Sequence, residues 1–394
     1  MKLLLYSHYF TPSVGGVETV VLSLARGLAE LRDTNGQPEF EITLATQTRA
    51  EKFDDAALPF CVIRQPSLPR LWQIVRAADV VHAAGPALQP LFLGWLARKP
   101  LVLEHHGYQA VCPNGLLLHQ PDCSVCPGHF LAGHYAECLR CCAQESGRTG
   151  SWKNLILMFP RHFFARRAAA NLAISQHSLE RQALPRSRVI YHGIEDPLAN
   201  EHVSDPAASV PKKICFGCVG RLVQEKGAPV LLEAAGILRD EGHVFEIRFI
   251  GDGPERPKLE AMIARNSLGS FIRILGFLTG TSLAEALRGV HVVVMPSIWE
   301  ETAGLSAMEQ MMRGRLVIGS DIGGLGEIVS DAGLKFPPGN ATMLAQAMRK
   351  VLEQPSMIAS LGQKSRERAR RFFEARRMIE DHARVYRGLA GAQK

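Results

Sequence analysis

The sequence has no run of apolar residues long enough to cross a bilayer, which takes about 18 or more, so no transmembrane helix is expected. Its first stretch, MKLLLYSHYF, has too few apolar residues before Ser7 and His8 to build a signal-peptide hydrophobic region. It reads as a buried first strand, and the protein is expected to stay in the cytosol. There is no low-complexity tract and no short-period repeat. No basic motif interleaved with aromatics is present, so nucleic acid is not an expected partner. The formal charge of +7 is moderate. It suits a polyanionic ligand such as a nucleotide diphosphate, or an anionic membrane surface. With 46% hydrophobic and 21% charged residues the chain fits neither a disordered nor a fibrous protein.

At 394 residues the chain is too long for one ordinary core, and two domains are expected. Short apolar runs alternate with helical patterns throughout, which predicts βαβ units and parallel sheets. In the first half the strands are LLLYS, FEITLAT, CVIRQ, ADVVHAAG, PLVLEHHG, NLAIS and SRVIYHG. The second half repeats the scheme with ICFGCVG, FEIRFIG, FIRILG, VHVVVMPS, LVIGSD and LKF. The expected organisation is α/β, two Rossmann-like domains facing a central cleft. An N-terminal acceptor domain spans 1–195, with a cysteine-rich insert at about 112–142, and a polar, proline-bearing linker follows at 196–213. A C-terminal donor domain spans 214–375, and the closing helical pattern 376–394 has to bury its apolar face on something already built.

Three loops carry the chemistry. In TPSVGGVETV, Gly15 and Gly16 lie between a strand end and a helix start, where backbone and helix N-terminus can meet a phosphate. An ordinary tight turn would look the same. In GRLVQEKG, Arg221 and Lys226 follow a strand at its carboxyl end, where open α/β sheets bind ligands. A fork and a point charge there suit a diphosphate, while a solvated loop is the bland alternative. GDGPER lacks the third glycine of a dinucleotide fingerprint and reads as a turn. WEETAGLSAMEQMMRG is a loop entering a helix. The amides near Ala303, Gly304 and Leu305 can hold an anion. Glu301 reaches beyond it, and Glu309, on the helix, can accept from the vicinal hydroxyls of a ribose. A capping Glu and a surface Glu are the alternative.

At these residues the chain resembles the family 4 glycosyltransferases (glycosyl transferases group 1), retaining enzymes of the two-Rossmann-domain GT-B type. The resemblance rests on Glu301 and Glu309 in E-x7-E, on PS before them and GSDIGGLGEIV after them, on GRLVQEKG, on SVGGVE and on the final helix. It implies a donor-diphosphate cradle of Gly15, Gly16, Arg221, Lys226, Gly304 and Leu305. It implies that Glu309 binds the ribose, and that Glu301 and His106, in PLVLEHHGYQAVCP, contact the transferred sugar as catalytic residues. The leaving diphosphate would deprotonate the acceptor, so no cofactor is required for the chemistry, and no D-x-D for a donor-bound metal stands out. Transfer from a nucleotide-diphosphate sugar to a glycan or lipid-linked acceptor, in cell-surface polysaccharide assembly, is what the resemblance implies. A nucleotide-sugar epimerase of the same shape, or a non-catalytic nucleotide-sugar-binding scaffold, are the rival readings. Three departures concern the sugar contact: Ala303 replaces an aromatic, Glu300 stands beside Glu301, and His192 replaces an Asn.

Two segments stand outside this scheme. Residues 112–142 hold six of the nine cysteines. Cys123, Cys126, Cys138 and Cys141 form two C-x2-C pairs suited to a structural Zn²⁺, with Cys112, Cys142, His119, His129 and His134 as further candidates. Free thiols, disulfides or an iron–sulfur cluster are the rivals. WKNLILMFPRHFFARRAAANL, 152–172, mixes large apolar residues with Lys153, Arg161, Arg166 and Arg167. It reads either as peripheral membrane contact or as a core-facing helix with a basic outer face.

Overall fold

The computed structural model describes residues 1–13, 15–51, 53–199 and 213–391. The chain divides into two units, Met1–Glu195 with Phe373–Lys394, and Asp196–Phe372. Most of the expected linker lies outside the described residues.

The first unit begins with strands β1 (Lys2–Ser7), β2 (Glu41–Thr46), β3 (Cys61–Arg64), β4 (Val80–Ala84) and β5 (Leu101–His105). A two-stranded hairpin, β6 (Leu118–His119) with β7 (Ser124–Val125), interrupts the series before β8 (Ala170–Ala173) and β9 (Ser187–Val189). Helices α1 (Gly16–Glu30), α2 (Leu68–Ala77), α3 (Leu88–Leu96), α4 (Tyr135–Arg167) and α5 (Gln176–Gln182) lie between them. The main sheet runs β3-β2-β1-β4-β5-β8-β9 with every pair parallel. Leu3, Leu4, Leu5 and Tyr6 on consecutive positions of β1 are all buried, as a sheet covered on both faces requires. Strand order reverses between β1 and β4, which opens a crevice at their carboxyl ends.

The second unit has β10 (Ile214–Val219), β11 (Phe245–Ile250), β12 (Ile272–Ile274), β13 (Val292–Met295), β14 (Leu316–Ser320) and β15 (Leu334–Phe336). Its helices are α6 (Ala228–Asp240), α7 (Arg256–Arg265), α8 (Gly280–Arg288), α9 (Leu305–Met312), α10 (Gly323–Val329), α11 (Ala341–Glu353) and α12 (Ser356–Phe372). The parallel order is β12-β11-β10-β13-β14-β15, with its reversal between β10 and β13. One core of Phe216, Phe245, Phe249, Val292, Ile318 and their neighbours fills the unit. GDGPER forms the turn between β11 and α7, as expected.

Helix α12 ends before Phe373–Glu374, where Glu374 bridges Ile194 and the Ile194 amide donates to the Phe373 carbonyl. A separate helix, α13 (Ala375–Gly391), then follows. Met378, His382, Ala383 and Tyr386 form its buried stripe, and it packs on α1 and β4 of the first unit. Gly27 of α1 permits that packing, since a Cβ there would lie 2.0 Å from Ile379.

Candidate functional site

In the second unit the reversal point brings two loops together. The loop after β10 carries Arg221 and Lys226 and ends at Gly227, which has φ +66°. A Cβ at Gly227 would stand 2.0 Å from the Pro296 carbonyl, so only glycine allows the approach. The Ile298 amide donates to Glu225 at 3.0 Å and ties the same two loops. Lys226 Nζ thereby comes 2.9 Å from Glu301 Oε1 and lies 5.8 Å from the Trp299 ring centre. Ser297 Oγ donates to the same Glu301 oxygen. Glu301 is buried, and its charge is matched by a lysine that keeps one side toward solvent. Arg221, Lys226 and Ser297 line a small cavity at this point, with Cys218 in its wall. Burial pushes the Cys218 thiol up to about 12, so the wall is uncharged.

Gly304 caps α9 in the left-handed region, φ +107°. It lies against Glu301, its Cβ position being 3.8 Å from Oε2. The first-turn amides at Leu305 therefore open beside the Lys226–Glu301 pair, with the partial positive charge of a helix start. Glu309 is half-buried one turn further along α9, and burial raises its carboxyl above the usual range, with Arg313 opposing. Gly323 closes the floor. It has φ +61°, and a Cβ there would meet the Glu300 and Glu301 backbone at 2.7 Å. The arrangement offers cations and amides to an anion, and carboxylates to hydroxyls. Glu300, the competitor in the sequence, is also buried.

In the first unit Gly15 caps α1 and Gly16 opens it. The Glu18 carboxylate lies over Gly15, 2.4 Å from where a Cβ would be, so this N-terminus already faces an anion of its own. His106 follows β5. Its Nδ1 is 3.0 Å from His192 Nε2, and its Nε2 is 3.6 Å from Glu104. His105 instead points to Asn171 at 2.8 Å, and burial holds it near pKa 4. His105 is thus held by the strand next to it, while His106 lies between Glu104 and His192.

Sequence reasoning missed what surrounds His106. Glu104 is fully buried with His82 Nε2 at 3.2 Å and His382 Nε2 at 3.7 Å. Burial would raise its carboxyl, but the rings of His106, His382 and His82 outweigh that and hold it well below the usual range. The outer nitrogens are fixed too: His382 Nδ1 lies 2.8 Å from the Met378 carbonyl, and His82 Nδ1 lies 2.6 Å from Tyr386 Oη. Burial pushes His192 down to about 3. Among the described residues, Glu104 with His82 and His382, and Glu104 with His106 and His192, are the sets whose ligand atoms fall within 4.8 Å of one another. The signal in the sequence was the pairing of a buried-strand Glu with histidines on three distant elements, which no spacing rule exposes.

The insert gathers cysteines, though not as the C-x2-C spacing suggested. Cys112, Cys126, Cys138, Cys141 and Cys142 line one small cavity with His119 and His129, and Cys123 is not among its lining residues. Burial and mutual proximity push Cys138 and Cys142 up to about 12. Four thiolates on one zinc at about 2.3 Å stand roughly 3.8 Å apart. Among the described residues no three of these sulfurs lie within 4.8 Å of one another. Cys126, Cys138 and Cys141 of the expected quartet thus share this cavity, with their sulfurs farther apart than zinc ligands stand. Cys123 sits on the β6–β7 turn with its sulfur toward the Gln120 carbonyl.

Comparison with known proteins follows the same division. Residues 201–368 match the family described as Glycosyl transferases group 1. The 2-deoxystreptamine glucosyltransferase of Streptomyces kanamyceticus is 34% identical over 145 residues, 36% of this chain and 37% of that protein. The alpha-D-kanosaminyltransferase of the same organism is 31% identical over 35% of this chain and 36% of its own. These matches span little more than a third of either relative. The 2-deoxystreptamine N-acetyl-D-glucosaminyltransferase of Streptomyces fradiae is similar over 85% of this chain and 82% of its own, at 27% identity. Among solved structures, Anabaena HepE in complex with UDP superposes with TM-score 0.72 at 20% identity, covering 98% of this chain and 100% of that one. Sucrose-phosphate synthase from Thermosynechococcus elongatus gives 0.72 at 20% identity, covering 99% of both chains. The fold is thus the fold of these structures, built from two Rossmann-like domains.

Proposed function

We propose that this chain is a retaining glycosyltransferase that takes a nucleotide-diphosphate sugar and transfers the sugar to a glycan or glycolipid hydroxyl, in cell-surface polysaccharide assembly. The observation that carries the donor half is the second unit's reversal point. There Gly227 holds Lys226 against Glu301 beside the start of α9, with Arg221 on the same cavity. The names of the relatives, and the UDP and UDP-glucose complexes of HepE, support a nucleotide-sugar donor.

In this reading the diphosphate meets Arg221, Lys226 and the α9 amides. The bond between the sugar's anomeric carbon and the diphosphate breaks, and the acceptor oxygen bonds to that carbon on the same face. The acceptor's proton goes to the departing diphosphate oxygen. The protein's part is to stabilise the charge that grows on that oxygen and to orient the sugar. Lys226 already neutralises Glu301 before donor arrives, which lowers the cost of keeping both charged groups in place. Glu309, raised by burial, hydrogen-bonds the ribose.

The test is calorimetry and thermal shift with UDP, GDP, ADP, TDP and their sugar conjugates, followed by turnover assays with glycolipid acceptors and with 2-deoxystreptamine as the small-molecule comparison. One nucleotide is expected to raise the melting temperature by mass action, and Glu309→Ala to weaken that nucleotide's binding. No shift with any nucleotide refutes the donor site. Binding without transfer, or release of altered sugar without acceptor, favours the scaffold or the epimerase.

A further inference from the structure

The face made by α3 and the second half of α4 has no counterpart in the proposed reaction. Helix α4 is interrupted at Gly147, which has φ +67° and ψ +178°. Beyond that point Ser151, Leu155, Met158 and Ala165 are buried on one side. On the other side Trp152, Ile156, Phe159 and Phe163 are 57%, 60%, 48% and 38% exposed. Their spacing repeats every three or four residues and forms a stripe along the helix. A helix that is apolar on both faces has a second apolar environment to meet.

The stripe does not stand alone. Phe92, Trp95 and Leu96 of α3 are about half exposed beside it, at 49%, 47% and 54%. Trp95 and Phe163 meet edge-on with ring centres 6.3 Å apart. Tyr135 continues the face through Phe159, with ring centres 5.5 Å apart. Large side chains half exposed in this number present roughly 700 Å² of apolar surface, above the 300–600 Å² of the largest patch on a typical soluble monomer.

Charge identifies the partner. No Asp or Glu occurs from Val80 to Leu103 or from Ser146 to Leu179, the two segments that carry the face apart from Tyr135. Those segments contribute Arg98, Lys99, Arg148, Lys153, Arg161, Arg166 and Arg167. Arg98, Lys153, Arg166 and Arg167 are exposed. Arg167 stacks over Phe163 at 3.8 Å, so a cation sits at the edge of the apolar stripe. The acids of α4, Glu137 and Glu145, fall before the Gly147 break, and Glu137 is paired with Arg140. Tryptophan and phenylalanine bordered by exposed basic residues match the boundary between acyl chains and anionic headgroups. No helix among the described residues is long and apolar enough to cross a membrane, so the contact would be at the surface.

We propose that α3 and the second half of α4 form a docking surface for an anionic bilayer, with the Trp152–Phe163 stripe lying in the headgroup boundary. This goes beyond the donor reading and stands or falls separately from it.

The test is sedimentation of the full chain with vesicles rich in phosphatidylglycerol and with pure phosphatidylcholine vesicles. Binding is expected to the anionic vesicles, to weaken with salt, and to shift tryptophan fluorescence to the blue. Trp152→Gln with Ile156→Gln, and separately Arg166→Glu with Arg167→Glu, are each expected to lower the partition by at least about tenfold. All four side chains are exposed, so melting temperature and nucleotide binding should stay as in the parent. Absence of binding to anionic vesicles overturns the proposal. So does binding that neither pair of substitutions changes. A dimer in solution that Trp152→Gln with Ile156→Gln dissolves, with no vesicle binding, would assign the face to a second copy instead.

Discussion

Lys226→Met removes the cation that lies against buried Glu301. At 2.9 Å the pair's Coulomb energy is about 6 kcal/mol at an effective dielectric of about 20. That gross figure overstates the net, because Lys226 is 24% exposed while Glu301 is 5% exposed. Stripping one partner from a fully buried pair costs about 3–5 kcal/mol, and the open side of Lys226 brings the expected loss to about 2–3 kcal/mol. For a unit of this size that is a fall in melting temperature of roughly 5–10 °C. Methionine keeps the stem packed, so the loss is electrostatic. Calorimetric melts of four proteins decide the matter: parent, Lys226→Met, Glu301→Gln and the double variant. The double variant should recover part of the loss, giving a coupling of about 1–3 kcal/mol. Strict additivity, or a Lys226→Met melt within about a degree of the parent, would refute the claim that this contact holds the site.

Other outcomes follow from the same geometry. Gly227→Ala should cost at least about 2 kcal/mol through its left-handed backbone and the Pro296 carbonyl. Gly236→Ala in the middle of α6, where nothing lies within 4 Å, should instead stabilise by up to about 1 kcal/mol, read in the same melts. Stability of the first unit should be pH-dependent on the acid side. His192 and His105 are neutral in the fold, with pKa values of about 3 and about 4, against about 6.5 when unfolded. Their contribution is whole above about pH 6.5. It is lost as pH falls toward those values, by up to about 1.4 kcal/mol per pH unit for each group; a flat urea midpoint from pH 6.5 to pH 4.5 would refute it. The thiols of the insert are expected to draw together on one zinc ion, giving about one zinc per chain by elemental analysis. Cys126→Ser should lower that content more than Cys123→Ser, and metal-free protein with an unchanged melting temperature would refute the site.

The two parallel sheets were legible because buried strands write themselves as short apolar runs, as in LLLYS and VVVMPS. So were the loops of the second unit, since Arg221, Lys226 and Glu301 follow strands directly and local order places them at carboxyl ends. What was illegible depends on distance along the chain. Nothing near Glu104 says that His382, on the last described helix, faces it. The break at Phe373 was hidden because the residues on both sides keep helical periodicity, while the bridge to Ile194 that interrupts them is a tertiary contact. In the insert, C-x2-C marks Cys123 and Cys126 alike, but the hairpin turn sends them to different surroundings, and Cys112 lines the cavity that Cys123 does not.

Helix α13 has a consequence for how the protein is made. The sheet of the first unit is complete on the nascent chain by β9, yet the helix that covers β4 and meets Glu104 is synthesised only after the second unit. Until the whole second unit has left the ribosome, His82 and Glu104 lack His382 and Tyr386. The first unit therefore begins before the second and closes after it. A fragment ending at Glu195, which looks like a natural domain on the page, would expose a carboxylate and an apolar groove that the full chain never leaves open.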